Sequence, residues 1–303
     1  MSYTKANVTI VDVAQAAGVS VSTVSRVLND KDDVAPETYQ KVRDVIDELG
    51  YTSSLAARGM RSRRMNVIGL VMPDVGDPFS IQVMKGVSRA IAELDYDLIV
   101  YTGGEFQRET SADRERRFVS LLGSAITDGV IVVTPATTSF PTASPVVVVD
   151  PNVETHDCPA VIATNRDGAL TAVEYLIGLG HTRIGFLKIR EDITTGEERF
   201  QGYLKALEAY GLDIDEGLVA NCSYTSEGGR DGPKALLGLS PPPSAIFASG
   251  GMSSIGALLE FKQQGIRIPR DLSFIRFDDE QWAQFTTPPL TVVAQPIWQI
   301  GTE

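Results

Sequence analysis

The chain has few of the residues from which metal sites, disulfide frameworks and acid–base active sites are built. Its 303 residues include two cysteines, Cys158 and Cys222, and two histidines, His156 and His181. The cysteines lie far apart and form no CxxC, which argues against a disulfide scaffold or a zinc site and reads as two buried free thiols. Two histidines leave little for metal ligation or general-base work, so no metal or other cofactor is called for. P-loop, GxSxG and strand-following GxGxxG patterns are missing, which argues against an α/β enzyme. No run of 18 apolar residues occurs, and the start MSYTKANVTI lacks the apolar stretch of a signal peptide. A cytoplasmic protein is the expectation, which also weighs against an exported solute receptor.

Basic charge is scarce too. With 27 Lys/Arg against 39 Asp/Glu the net charge is −12, so the surface as a whole cannot coat nucleic acid or a membrane. The deficit is uneven, however. Residues 1–65 carry nine Lys/Arg against eight Asp/Glu, a net of +1, and the rest carry 18 against 31, a net of −13. A small, faintly basic module on an acidic body is the implication. The length predicts two or three domains.

What is present begins with three short helical patterns over residues 9–50. Thr9 with Asp12 three positions on reads as a capping box, and Ile10, Val13, Ala14 and Ala17 form one apolar face. Gly18 stops that helix. Ser20 caps a second, with Val24, Val27 and Leu28 inward. A third opens at Pro36, buries Val42, Val45, Ile46 and Leu49, and ends at Gly50. Residues 52–65 then read as a linker, with small residues leading into Arg58, Arg61, Arg63 and Arg64.

From Asn66 onward apolar strands alternate with amphipathic helices. Strands are predicted at Val67–Met72, Tyr96–Tyr101, Gly129–Thr134, Val146–Val149, Arg183–Leu187, Ala245–Ala248, Ser273–Phe277 and Leu290–Ala294. Helical patterns lie between most of them, for example at Ile81–Leu94, Ala169–Leu179, Arg199–Tyr210 and Ser254–Gln264. The alternation implies an α/β body of two parallel sheets behind an all-α headpiece.

The most informative stretch is TIVDVAQAAGVSVSTVSRVLN, Thr9 to Asn29. A short helix, a glycine turn and a second capped helix make a helix-turn-helix, whose second helix can enter a major groove. Val21, Ser22 and Arg26 project from its polar side as base-contact candidates: Arg26 can fork onto a guanine, and Val21 can touch a thymine methyl. Thr9, Ser20, Thr23, Ser25, Asn29 and Tyr51 offer donors to phosphate oxygens. A helical hairpin whose polar face merely meets water is the alternative.

The string A-x-x-A-G-V-S-x-x-T-V-S-R-V-L-N closely resembles the lactose/galactose-repressor (LacI/GalR) family. DELGY (Asp47–Tyr51), IGLVMPDVGDPF (Ile68–Phe79), LGHTRIGFL (Leu179–Leu187), RFQGYLKAL (Arg199–Leu207) and FDDEQWAQFTTPPLTVVAQP (Phe277–Pro296) follow as landmarks in order. The resemblance implies a helix-turn-helix headpiece over 1–51, a hinge linker over 52–65 and an effector and dimerisation domain over 66–303. That domain would be of periplasmic-binding-protein type, with an N-subdomain of about 66–163 plus 295–303 and a C-subdomain of about 164–294. It further implies a homodimeric repressor of double-stranded operator DNA, controlled by a small molecule, a sugar or polyol, held between the subdomains. A non-sugar effector, or none, is the alternative. Family members run a few dozen residues beyond a QP like Gln295–Pro296, so ending at Glu303 implies a shortened chain or an incomplete subdomain.

The same resemblance assigns ligand contacts to Phe79, Asn165, Arg199 and Asp278, and minor-groove insertion to Met60 beside Arg58. Several positions depart from it. Ser53 replaces a proline, Gly59 weakens the hinge helix by about 1 kcal/mol relative to alanine, and Met60 replaces a leucine wedge. In the cleft, Thr164 replaces an aspartate, Gly250–Gly251 replaces an Asn-Asp pair, and Arg276 stands where glycine is usual. A retained cleft with an unusual or less polar ligand is the expectation. His181 reads as structural, at a strand start.

Overall fold

The computed structural model describes residues 8–28, 31, 33–51, 64–103, 110–153, 158–189, 194–222 and 228–303. Asn29, Ser53, Arg58, Gly59, Met60, Arg61, Arg63 and His156 lie outside the described residues. The chain divides into two compact units between Met65 and Asn66.

In the first unit, α1 spans Ile10–Ala17, α2 Val21–Leu28 and α3 Pro36–Leu49. Thr9 and Asp12 form the reciprocal cap. Asp12 N donates to Thr9 Oγ1 at 3.4 Å and Thr9 N to Asp12 Oδ2 at 2.8 Å, two donors that α1 would otherwise leave unpaired. Gly18, at φ 64°, supplies the left-handed turn that frees α2 to leave at an angle. Ser20 caps α2 by accepting from Thr23 N at 3.1 Å. Val13, Ala14, Ala17, Val24, Val27, Val42 and Ile46 meet in one small core. Leu49 is exposed in the last turn of α3, contrary to the periodicity, and Tyr51 joins the core beyond Gly50 instead.

The second unit carries two five-stranded, wholly parallel sheets. The first comprises β1 (Val67–Met72), β2 (Asp97–Thr102), β3 (Gly129–Val133), β4 (Val146–Val149) and β5 (Ala160–Val161), in the order β2-β1-β3-β4-β5. The second comprises β6 (Ile184–Ile189), β7 (Val219–Cys222), β8 (Ala245–Ala248), β9 (Ser273–Phe277) and β10 (Thr291–Val293), in the order β7-β6-β8-β9-β10, so the same winding occurs twice. Runs such as VVVV in β4 and AIFA in β8 are apolar without alternation because helices cover both sheet faces. Those helices are α4 (Pro78–Ala92), α5 (Ser111–Ile126), α6 (Asn165–Gly178), α7 (Thr194–Ala209), α8 (Asp231–Leu237), α9 (Gly251–Gln264) and α10 (Ile297–Thr302).

Leu70, Met72, Val83, Val133 and Ile300 fill one layer of the first sheet, which draws α10 onto α4 although the whole second sheet intervenes in sequence. Phe186, Tyr203, Phe247 and Phe277 fill the corresponding layer of the second sheet. There α6 and α7 cross so closely that a Cβ on Gly202 would lie 2.3 Å from the Arg166 carbonyl oxygen and 2.8 Å from Ala169 Cβ. Gly202→Ala must therefore push the two helix backbones apart. Overpacking of this kind costs about 1–3 kcal/mol, so calorimetry should record a fall of several degrees in the Tm of the second unit. An unchanged Tm would contradict the crossing.

Two edge strands, β5 and β7, have no counterpart among the predicted strands. β5 is only two residues long, and β7 (VANC) carries an exposed Asn221 in place of the unbroken apolar run that marks the interior strands. Helix α5 was hidden by its charged first turns, SADRERR. Cys222 is buried and its thiol is pushed up to about 11 by burial, the condition of an inert thiol. Cys158 is only half-buried, because it lies in the loop before β5 rather than in the core.

Candidate functional site

In the first unit, α2 has two unlike faces. Val24 and Val27 are fully buried, while Val21, Ser22 and Arg26 are exposed, Val21 at 41%. Ser20 Oγ lies 2.7 Å from Ser22 Oγ and 2.9 Å from Thr23 Oγ1, so a chain of hydroxyls leads along the first turn. Arg26 is not idle: its Nε lies 3.2 Å from Asp33 Oδ2, both side chains being more than half exposed. Nothing in the sequence pattern marked Asp33. Thr9 spends its hydroxyl on the α1 cap, 2.7 Å from Asp12 Oδ2, and the Tyr51 ring is buried at 8% exposure.

In the second unit a cavity of about 530 Å³ opens at the carboxyl ends of the strands of both sheets, within the usual range for small-molecule sites. Pro73 follows β1, Thr134 and Ala136 follow β3, and Asp150 follows β4. Ile189 closes β6, Gly250 and Gly251 follow β8, Asp278 follows β9 and Gln295 follows β10. Each sheet reverses its strand order at β1/β3 or β6/β8, and such switch points leave a crevice where loops splay apart. Thr134, Asp150 and Asp278 hold left-handed backbones, at φ 45°, 47° and 74°. Three non-glycine residues in that sparsely populated region all stand at strand ends and line one cavity.

Arg199 on α7 is the centre of the cleft. It is 5% exposed, donates from Nε to Asn165 Oδ1 at 2.9 Å and from Nη1 to the Ser249 carbonyl at 2.6 Å, and lies 3.8 Å over the Phe277 ring. Asn165 in turn donates to Asp150 Oδ1 at 3.3 Å. Asn165 therefore does not line the cavity; at the start of α6 it orients the two charged groups that do. Asp278 accepts from Gln295 Nε2 at 2.5 Å. Phe79, in the first turn of α4 beyond the Asp77 cap, is half-buried and lines the wall.

Sequence reasoning missed Asp150, Glu115 and Gln295. Asp150 had a signal: an acid immediately after the buried run VVVV, at the carboxyl end of a strand. Burial holds its carboxyl above the usual range against the opposing charge of Arg199. Glu115 had none, because its role depends on how α5 meets the loop after β3. It accepts from Ala136 N at 2.8 Å and Thr137 N at 3.1 Å, yet burial pushes it up to about 7.

A folded pKa above the unfolded value means the protonated form is the one that folding favours. The contribution is full below about pH 4.5 and is lost as pH rises to about 7. Its ceiling is about 3 kcal/mol, reduced by solvent screening. Thermal melts of the wild type from pH 4.5 to 7.5 should show this loss, and Glu115→Gln should flatten it. Parallel curves would remove Glu115 as its source.

His181 joins three strand starts, with Nδ1 2.9 Å from Ser244 Oγ and Nε2 2.9 Å from Ser273 Oγ. Among the described residues there is no cluster of His, Cys, Asp and Glu able to hold a metal, and no helix is long and apolar enough to cross a membrane.

Comparison with known proteins follows this division of the chain. A family model described as bacterial regulatory proteins, lacI family, matches residues 9–54, and one described as a periplasmic binding protein-like domain matches residues 173–303. The transcriptional regulator DegA of Bacillus subtilis is 32% identical over 97% of this chain and 88% of its own length. The transcriptional repressor CytR of Escherichia coli is 32% identical over 97% of this chain and 87% of its own. Among solved structures, a CelR–cellobiose complex superposes with TM-score 0.69 at 30% identity, over 97% of this chain and 90% of that one. A lac repressor dimer on its operator shares the fold with TM-score 0.82 at 23% identity, over 97% and 89%. At such identity across nearly its whole length, the chain belongs to the lacI family of bacterial regulatory proteins.

Proposed function

We propose that this chain is a cytoplasmic, non-catalytic transcription repressor that reads an operator with α2 and is switched by a polyhydroxy ligand in the cleft. The observation that carries the reading is the exposed face of α2, where Val21 and Ser22 in the first turn and Arg26 in the last stand clear of a three-helix core. Arg26, Val21 and Ser22 make the base contacts, with Ser20, Thr23, Ser25 and Asn29 on phosphates. Thr9 and Tyr51 remain assigned to phosphates as well, although their hydroxyls start from a cap and a buried ring. The linker contributes Arg58 and Met60 to the minor groove.

A homodimer is the natural partner state, since one α2 per half-site matches a pseudo-palindrome. The first sheet with α10 forms one subdomain, about 66–163 plus 295–303, and 164–294 the other. Ligand binding changes their closure and thereby operator affinity, through its differential affinity for the two states. The cleft supports a sugar or polyol, because Asp150, Asp278 and Arg199 accept from and donate to hydroxyls while Phe79 covers an apolar ring face. Selection from a randomised duplex pool should enrich an inverted repeat, and a thermal-shift screen of sugars and polyols should find one that raises the Tm. A pool that stays random would overturn the DNA-binding reading.

A further inference from the structure

Glu115 stands in the second turn of α5 and is 8% exposed, yet it lines both the main cleft and a small adjoining recess. Its two carboxyl oxygens are used unequally. Oε2 accepts from both backbone donors of the loop after β3, Ala136 N at 2.8 Å and Thr137 N at 3.1 Å. Among the described residues Oε1 accepts from nothing, and it is not one of the polar atoms sealed inside the protein. The recess, at about 40 Å³, has room for little more than water, so an organic molecule reaches Glu115 only from the cleft. Holding the loop takes one oxygen; the other is left for whatever enters the cleft.

The charged groups around it decide what it can meet. Arg114 and Arg116 flank it on α5, and Arg116 already donates to Thr137 Oγ1 at 3.0 Å and pairs with Asp113. The loop after β3 brings no charge. The cleft is lined by Asp77, Glu115, Asp150 and Asp278 against Arg199, which donates to Asn165 and the Ser249 carbonyl. An anionic ligand would bring its charge among four carboxyls and a single guanidinium. Resting on the function proposed above, we infer that Glu115 is a specificity-determining ligand contact: Oε1 accepts from a hydroxyl of a neutral polyhydroxy ligand, on the cleft wall built by the first sheet. Burial pushes this carboxyl up to about 7, and a hydroxyl donating to it favours the ionised form. Binding therefore tightens as pH rises through about 7, and below that pH it releases a proton.

The test titrates the full chain by calorimetry with cellobiose, D-ribose and xylitol, and with D-glucosamine and D-glucose 6-phosphate as charged probes. The tightest neutral probe is carried to Glu115→Gln, an isostere that keeps a carbonyl oxygen for the two loop N–H groups but turns a donor toward the cleft. For the wild type, Kd should fall by about fivefold or more from pH 5.5 to 7.5, and the heat at pH 6.5 should vary with the ionisation enthalpy of the buffer. In Glu115→Gln the Kd at pH 7.5 should rise by about tenfold or more, with the pH slope and the proton release lost. If Glu115→Gln fails to fold, the wild type decides: one monodeoxy analogue of the probe should bind about tenfold more weakly and release no proton, and proton release by every such analogue overturns the contact. A Kd and proton release unchanged in the variant, a wild-type Kd that ignores pH, or tightest binding by a charged probe also overturns it and leaves the cleft reading intact. If no probe binds the wild type, the polyhydroxy-ligand reading fails, and the contact with it.

Discussion

Arg26→Ala abolishes most of the preference for the selected operator over scrambled duplex while leaving the headpiece folded. The side chain is more than half exposed and belongs to no core, so its removal costs little stability. Its loss in the complex is large, because a bidentate arginine–guanine pair contributes about 1–3 kcal/mol of discrimination. Two half-sites double this to about 2–6 kcal/mol, or roughly thirtyfold to ten-thousandfold. Competition binding at one fixed salt concentration measures it, and unchanged discrimination would refute the assignment. Asp33 gives the experiment an internal control. The exposed Arg26–Asp33 pair is worth about 0.2–1 kcal/mol and competes with DNA for the same guanidinium. Asp33→Asn should therefore tighten operator binding, by removing both that competition and a negative charge facing phosphate, where Arg26→Ala loosens it.

Arg199→Ala has the larger effect on stability. Its removal leaves the Ser249 carbonyl and Asn165 Oδ1 without their donor and Asp150 without the cation that opposes its desolvation. Breaking a buried charge network in this way costs about 3–5 kcal/mol, or roughly 6–20 °C in Tm for a unit of this size. The deficit should be pH-dependent. The Asp150 carboxyl is already held high, so without Arg199 it resists ionisation further, and the variant's deficit is greatest at high pH and shrinks as pH falls. A deficit that does not vary with pH would show that Asp150 and Arg199 are not coupled. The same variant, in the fraction that remains folded, should bind operator but no longer respond to ligand.

The sequence made most of the scaffold legible, for reasons that differ between the units. In the headpiece, Thr9, Asp12, Gly18, Ser20 and Pro36 are local signals acting within four residues, and each does in the structure what its type suggests. Leu49 failed because periodicity cannot tell where a core ends. In the body, buried parallel strands announce themselves by apolar runs, but β5 is two residues long and β7 is an edge strand whose run is broken by Asn221.

The cleft was less legible. Arg199, Asp278 and Phe79 do line one cavity. Asn165 acts one layer behind it, and Asp150 and Glu115 depend on contacts between segments far apart in sequence.

The central claim is that occupancy of the cleft alters operator binding, and operator affinity measured with and without the stabilising sugar at saturation tests it most directly. A coupling of about 1–3 kcal/mol predicts a change of roughly fivefold or more in operator Kd for the wild type, and none for Arg199→Ala. The same operator Kd for wild type in the presence and absence of bound sugar would contradict it.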